Sequence, residues 1–116
     1  FIWKEKASTA NDLLSSRGKI ILIDENDQVL AYSQNSGKLE WLNKDFFLRE
    51  LTSPNRLKSL VVYGDFQGFV HALDISQGEQ VARKRVSRSK IISISTKDEN
   101  VLTLDSKGKL SLFTLQ

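Results

Sequence analysis

The sequence predicts an all-β protein made of about three repeated units of four antiparallel strands, and three observations predict it. The first is an internal repeat: "ILIDENDQVLAYSQNSGKLEW" (residues 21–41) aligns without a gap on "VYGDFQGFVHALDISQGEQVA" (62–82). Asp24, Val29, Ala31 and Gly37 thus recur 41 positions later as Asp65, Val70, Ala72 and Gly78. The second is that each copy alternates short apolar runs with polar turns and shows no helical period of 3.6. The third is that the apolar runs are continuous, as in sheets covered on both faces. Four strands per repeat, stacked face to face, are the blades of a β-propeller, here a partial one.

Taken in order, "IILI" (20–23), the turn "DENDQ" and "VLAY" (29–32) form a hairpin with Asp/Gly-type turn chemistry. A second polar turn, "SQNSGK", leads to the short strand "LEW" (39–41). The stretch "LTSPN" (51–55) reads as a further strand start closed by Pro54, the only proline. The next copy runs "LVVY", "GDFQG", "VHAL", "DISQGE" and "QVARKRV" (60–86). A third, "TLDSKGKLSLFTLQ", follows at a spacing of 40, with Asp105 and Gly108 matching Asp65 and Gly68. Trp3 stands 38 positions before Trp41, so residues 1–6 read as the tail of an earlier copy. The whole chain, 1–116, is then one portion of a single propeller domain, with repeats at roughly 10–50, 51–88 and 89–116. Since a closed propeller has typically about 4 to 8 blades, a chain holding about 2.8 repeats leaves sheet faces open, to be covered by further blades or by self-association.

The 17 basic and 14 acidic residues leave a net charge of +3, too mild to name a nucleic-acid partner. The absence of cysteine excludes disulfides and thiolate metal sites, and one histidine excludes imidazole clusters. No apolar run approaches the roughly 18 residues of a membrane span. The chain opens "FIWKEKAS", with no methionine and no signal-peptide pattern, and reads as a piece of a longer protein.

The repeated small residue and glycine have a packing meaning. Ala31 and Ala72 make room on a strand, Gly37 and Gly78 turn the chain, and the Trp41 indole is expected to lie across the neighbouring repeat with its N–H on a carbonyl. In the loop "NKDFFLRELTSP" (43–54), Phe46, Phe47 and Arg49 are candidate partner contacts, because aromatics and arginine are enriched at interface hot spots. The competing expectation is that the phenylalanines fold back onto the blade and Arg49 is solvated. The basic run "RKRVSRSK" (83–90) reads as a solvated outer strand, His71 as a hydrogen-bonded structural histidine, and Asp24, Asp27, Asp65 and Asp105 as turn formers. Catalytic, metal-binding and cofactor-binding residues are not expected.

The spacing of Ala31, Gly37 and Trp41 resembles the tryptophan-docking repeat of quinoprotein-like propellers. Within that superfamily, "LIDENDQVLAY", "FLRELTSP", "VVYGDFQGFVHAL" and "GEQVARKRV" make the chain resemble the C-terminal part of the BamB family, lipoproteins of the outer-membrane β-barrel assembly machinery. The resemblance implies an eight-bladed ring, no catalysis or cofactor, and a scaffold beside BamA on the periplasmic face of the outer membrane, with unfolded outer-membrane proteins as further partners. It also implies a lipid anchor outside this sequence, and it departs from the pattern at Ala82, where a docking tryptophan belongs. The enzymatic alternative is a pyrroloquinoline-quinone-dependent dehydrogenase, and a third is a general protein-binding propeller.

Overall fold

A computed structural model describes residues 2–6 and 13–115. Among the described residues, eleven strands form three antiparallel sheets with simple up-and-down order. The first holds β1 (Leu14–Ser16), β2 (Lys19–Ile23), β3 (Val29–Ser33) and β4 (Leu39–Asn43). The second holds β5 (Asn55–Leu57), β6 (Leu60–Gly64), β7 (Phe69–Asp74) and β8 (Gln80–Arg85). The third holds β9 (Ile91–Lys97), β10 (Asn100–Asp105) and β11 (Leu110–Thr114), three strands where the repeat led one to expect four. The expected start of the first repeat near residue 10 lies outside the described residues.

The strand after Pro54 begins at Asn55, so the proline ends the loop rather than the strand. Its missing N–H then costs no ladder bond. β1, β5 and β9 are the first strands of their sheets, and β5 lies beside both of the others. Asn55 Nδ2 donates to the Ile94 carbonyl at 3.2 Å and Thr96 Oγ1 to that of Arg56 at 2.6 Å, tying two of these inner strands together.

The sheets stack through two apolar layers. Ile21, Ile23, Val29 and Ala31 of the first sheet meet Val61, Tyr63 and Leu73 of the second, closed by Phe46, Leu51 and Ile75. Across the second sheet, Val62, Val70 and Ala72 face the other way and meet Ile94 and Val101 of the third. Successive residues such as Val61 and Val62 are therefore both fully buried on opposite faces, which is why the strand reads as a continuous apolar run. Among the described residues the far face of the third sheet has no such partner, and Leu102, Leu110 and Leu112 stand exposed there.

Each hairpin between the second and third strands of a sheet is built by one aspartate. Asp24 Oδ1 accepts the N–H groups of Asn26 and Gln28, Asp65 Oδ1 those of Gln67 and Phe69, and Asp105 Oδ1 those of Lys107 and Lys109, all between 2.8 and 3.1 Å. The carboxylate supplies the acceptors that a tight turn cannot find in its own backbone.

Between sheets, tryptophan is the link. The Trp41 indole N–H donates to the Ile75 carbonyl at 2.8 Å while its ring covers Gly78, and Asn43 Nδ2 adds a bond to the Gly78 carbonyl at 2.9 Å. One sheet earlier, Trp3 repeats the arrangement, donating to the Gln34 carbonyl at 2.7 Å with its ring over Gly37. Gly37 and Trp41 belong to one repeat copy but do not meet: each tryptophan serves the glycine of the next copy. Ala31 pairs with Trp41 across β3 and β4, and its small side chain leaves the indole free to cross to the second sheet. Ala72 pairs with Ala82 at the matching place, so the join to the third sheet carries no indole.

Gly78 has two reasons to be glycine: φ is +74°, and a Cβ would overlap the Trp41 ring. Gly18 has only the first, with φ +76° and open space around it. Gly78→Ala is expected to lose about 2–5 kcal/mol, from left-handed backbone plus overlap, and Gly18→Ala about 1–2 kcal/mol. Denaturant unfolding of the two variants measures the difference, and equal losses would show that the indole does not rest on Gly78.

Candidate functional site: the loop end

The antiparallel order places the turns 24–28, 64–68 and 105–109 at one end of the sheets, together with the connections 44–54 and 86–90. The docking glycines lie in turns at the opposite end. The sequence-predicted contacts Phe46, Phe47 and Arg49 all fall on the first end, but the structure separates them.

Phe46 is 3 % exposed and belongs to the core. Its ring meets Tyr63 edge-on at 5.2 Å and His71 at 4.7 Å, so it is not available to a partner. Two adjacent phenylalanines point apart on a loop, and burying Phe46 turns Phe47 outward to 58 % exposure. Arg49 is half-buried and reaches over the second sheet, with Nη1 3.4 Å from both Asp65 Oδ2 and Gln67 Oε1. These are long contacts, so the guanidinium is steered more than clamped.

Beneath Arg49 lies a buried polar array. His71 Nε2 sits 2.7 Å from Asp65 Oδ2, and His71 Nδ1 sits 2.9 Å from the Gln80 side-chain oxygen. His71 is 2 % exposed and Asp65 is fully buried. Burial pushes the Asp65 carboxyl upward, but the His71 bond, the Phe69 and Gln67 N–H groups and the imidazole's charge together hold it below its ordinary value. Tyr63 is pushed well up, by burial first and by the Asp45 charge second. The array runs from half-buried Arg49 through buried Asp65 and His71 to Gln80 on the exposed strand β8.

The loop 44–50 is held by what it touches. Leu48 and Glu50 have φ of +58° and +53°, left-handed values that non-glycine residues rarely take. Asp27, itself at φ +62°, reaches across with both carboxylate oxygens to the N–H groups of Glu50 (3.1 Å) and Leu51 (3.0 Å). Asp27 therefore sits in a turn, as expected, yet its side chain caps a different loop. The Phe66 N–H donates to the Arg49 carbonyl at 3.0 Å, and the Lys90 ammonium meets Glu50 at 3.0 Å. Leu48 and Phe66 join Phe47 as exposed apolar side chains of this end, and sequence reasoning passed over both. Phe66 was legible, since an aromatic in the tip "GDFQG" has no core to enter; Leu48 was not, because its exposure comes from the backbone twist.

The basic run 83–90 divides. β8 is an exposed outer strand in which Arg83 and Arg85 lie over the Phe69 ring, at 5.1 and 5.4 Å. Beyond it Arg88 helps line a cleft with Lys107 and Lys109. Among the described residues no group of three or more His, Cys, Asp or Glu is placed to hold a metal ion.

Sheets of this order, stacked face to face and joined by indole–glycine docking, are blades of a β-propeller. No family model matches the chain. It is 32% identical over 115 residues to the outer membrane protein assembly factor BamB of Shewanella oneidensis, covering 98% of this chain and 29% of that protein. The crystal structure of BamB from Moraxella catarrhalis superposes with a TM-score of 0.88 at 20% identity, over 96% of this chain and 34% of that one. A quinohemoprotein alcohol dehydrogenase from Pseudomonas putida shares the fold at TM-score 0.75 and 13% identity, over 97% of this chain and 20% of that one. In sequence the chain belongs with the BamB proteins, as a segment spanning less than a third of the length of the relative it matches.

The lowered Asp65 carboxyl has a pH consequence. A carboxyl held down in the folded state adds stability above its unfolded value, near pH 4, and loses it as pH falls through the lower folded value. Asp65→Asn should flatten the fall in stability as the pH drops below about 4, leaving the parts due to Asp105 and Glu99, whose carboxyls are also held down. Unfolding followed by circular dichroism across that range reads it, and an unchanged acid slope would contradict the assignment.

Proposed function

We propose that the chain supplies blades to a non-catalytic scaffold subunit that works in the assembly of β-barrel proteins into the outer membrane. The single observation that carries this is the sequence relationship to BamB along nearly the whole chain. In this reading the segment is the C-terminal portion of an eight-bladed ring with repeats near 10–50, 51–88 and 89–116. Further blades then cover the open leucine face of the third sheet. The complete protein is held by a lipid at the periplasmic face of the outer membrane, binds BamA, and meets unfolded outer-membrane proteins as clients. Phe47 and the outer part of Arg49 are its contact candidates here, Phe46 having gone to the core.

The dehydrogenase reading has one observation in its favour, the shared fold of the quinohemoprotein enzyme. Against it, Asp24, Asp65 and Asp105 each commit a carboxylate oxygen to their own turn, which supports scaffold over catalysis.

Purified chain titrated with the soluble periplasmic region of BamA in a calorimeter is expected to show saturable heat, and pyrroloquinoline quinone with calcium is expected to show no spectral change on addition of the chain. Absence of heat with BamA, together with a quinone shift, would move the reading to the enzyme.

A further inference from the structure

We infer that the loop end is a docking surface for an extended protein segment that carries acidic side chains beside apolar ones. The proposal refines the contact surface suggested above, but its observations and its probe do not involve BamA.

The apolar half of the surface is displayed at a conformational cost. Leu48 at φ +58° and Glu50 at φ +53° hold sparsely populated backbone, and such strain persists only where surroundings enforce it. Asp27, buried Phe46 and the Phe66 N–H enforce it here. The outcome is that Phe47 and Leu48 stand about 60 % exposed next to Phe66, around a recess of about 230 Å³. A loop with no binding role gains nothing from this display, since either side chain could be polar.

The charged half is a cleft of about 550 Å³ between the second and third sheets, lined by Arg85, Arg88, Lys107 and Lys109 with one acid, Asp105. That acid is already engaged: Oδ1 takes the Lys107 and Lys109 N–H groups and Oδ2 takes the Ser87 hydroxyl at 2.6 Å. Neither Arg88 nor Lys107 meets a carboxylate among the described residues. Four cations against one occupied carboxylate leave an attraction for anionic groups that the protein does not meet itself.

Gln67 joins the halves. Its side-chain oxygen faces Arg49 at 3.4 Å and its carbonyl accepts from Arg85 Nε at 3.2 Å, making one strip from Phe47 to Lys107. A strip with an apolar recess at one end and a cationic cleft at the other fits side chains of alternating character on an extended chain. A flat lipid surface offers nothing to enter two recesses. Aromatic anchors beside arginine are the composition of binding hot spots.

The test uses the isotope-labelled 116-residue chain and a blocked synthetic peptide with glutamates set between phenylalanine and leucine. Saturable amide shifts confined to residues 47–50, 65–68, 85–89 and 105–109 are expected, with affinity falling about tenfold or more in Phe47→Ser/Leu48→Ser and in Arg88→Ser/Lys107→Ser. All four side chains are solvent-facing, so the spectra of both variants should elsewhere match the parent. The proposal is overturned by shifts that never localise, by equal binding of the peptide with glutamine in place of glutamate, by unchanged affinity in either variant, or by binding of phosphatidylglycerol vesicles without binding of the peptide.

Discussion

A tryptophan on the last strand of one sheet, seated on a glycine of the next, is the interaction on which the rest depends. Strand pairing makes each sheet but does nothing to fix one sheet against another. Apolar burial brings the faces together, yet it is non-directional and tolerates sliding. The indole adds direction: its N–H must reach the Ile75 carbonyl while its ring covers Gly78, and the two conditions fix both height and angle. The loop end between the first two sheets inherits that registration, because Asp27 of the first sheet can cap Glu50 and Leu51 only if those sheets keep their spacing.

The third sheet shows what happens without the indole. Ala82 stands where the tryptophan would, and the join relies on Val62, Val70 and Val101 with Phe113 packed alongside, on the Asn55 and Thr96 bonds between inner strands, and on Ser87 meeting Asp105. Gly68 lies tight under the Ser87 carbonyl, where any side chain would collide. The second join is thus made at the inner strands and the loop end, the first at the outer strand. This places the cationic cleft at a junction held by hydrogen bonds, close to where Arg85 spans Gln67 and Ser87.

Much of this architecture was legible in the sequence because propeller blades repeat their chemistry. Asp24, Asp65 and Asp105 announce equivalent turns, and Gly37 and Gly78 announce equivalent docking places. The inner strands β1 and β5 were not legible: three residues such as "LSS" or "NRL" carry no period, and only tertiary pairing makes them strands. β9 carried a signal in its alternation of isoleucine and serine, but it lay outside the segments that repeat. At the candidate site, the sequence showed that 43–54 was unusual without showing which phenylalanine pointed inward. That choice is made by the space between Tyr63 and His71, which only the folded chain contains. The Asp27 cap, 23 residues from Glu50 along the chain, was invisible for the same reason.

The most direct measurement is hydrogen exchange at the Trp41 indole N–H, followed by NMR alongside the core amide of Val62. If docking fixes the stack, the indole proton exchanges only when the sheets separate, and its protection rises and falls with that of Val62 as denaturant is added. If the indole exchanges at the rate of a free side chain while Val62 stays protected, the sheets hold together by apolar contact alone and the docking account is wrong.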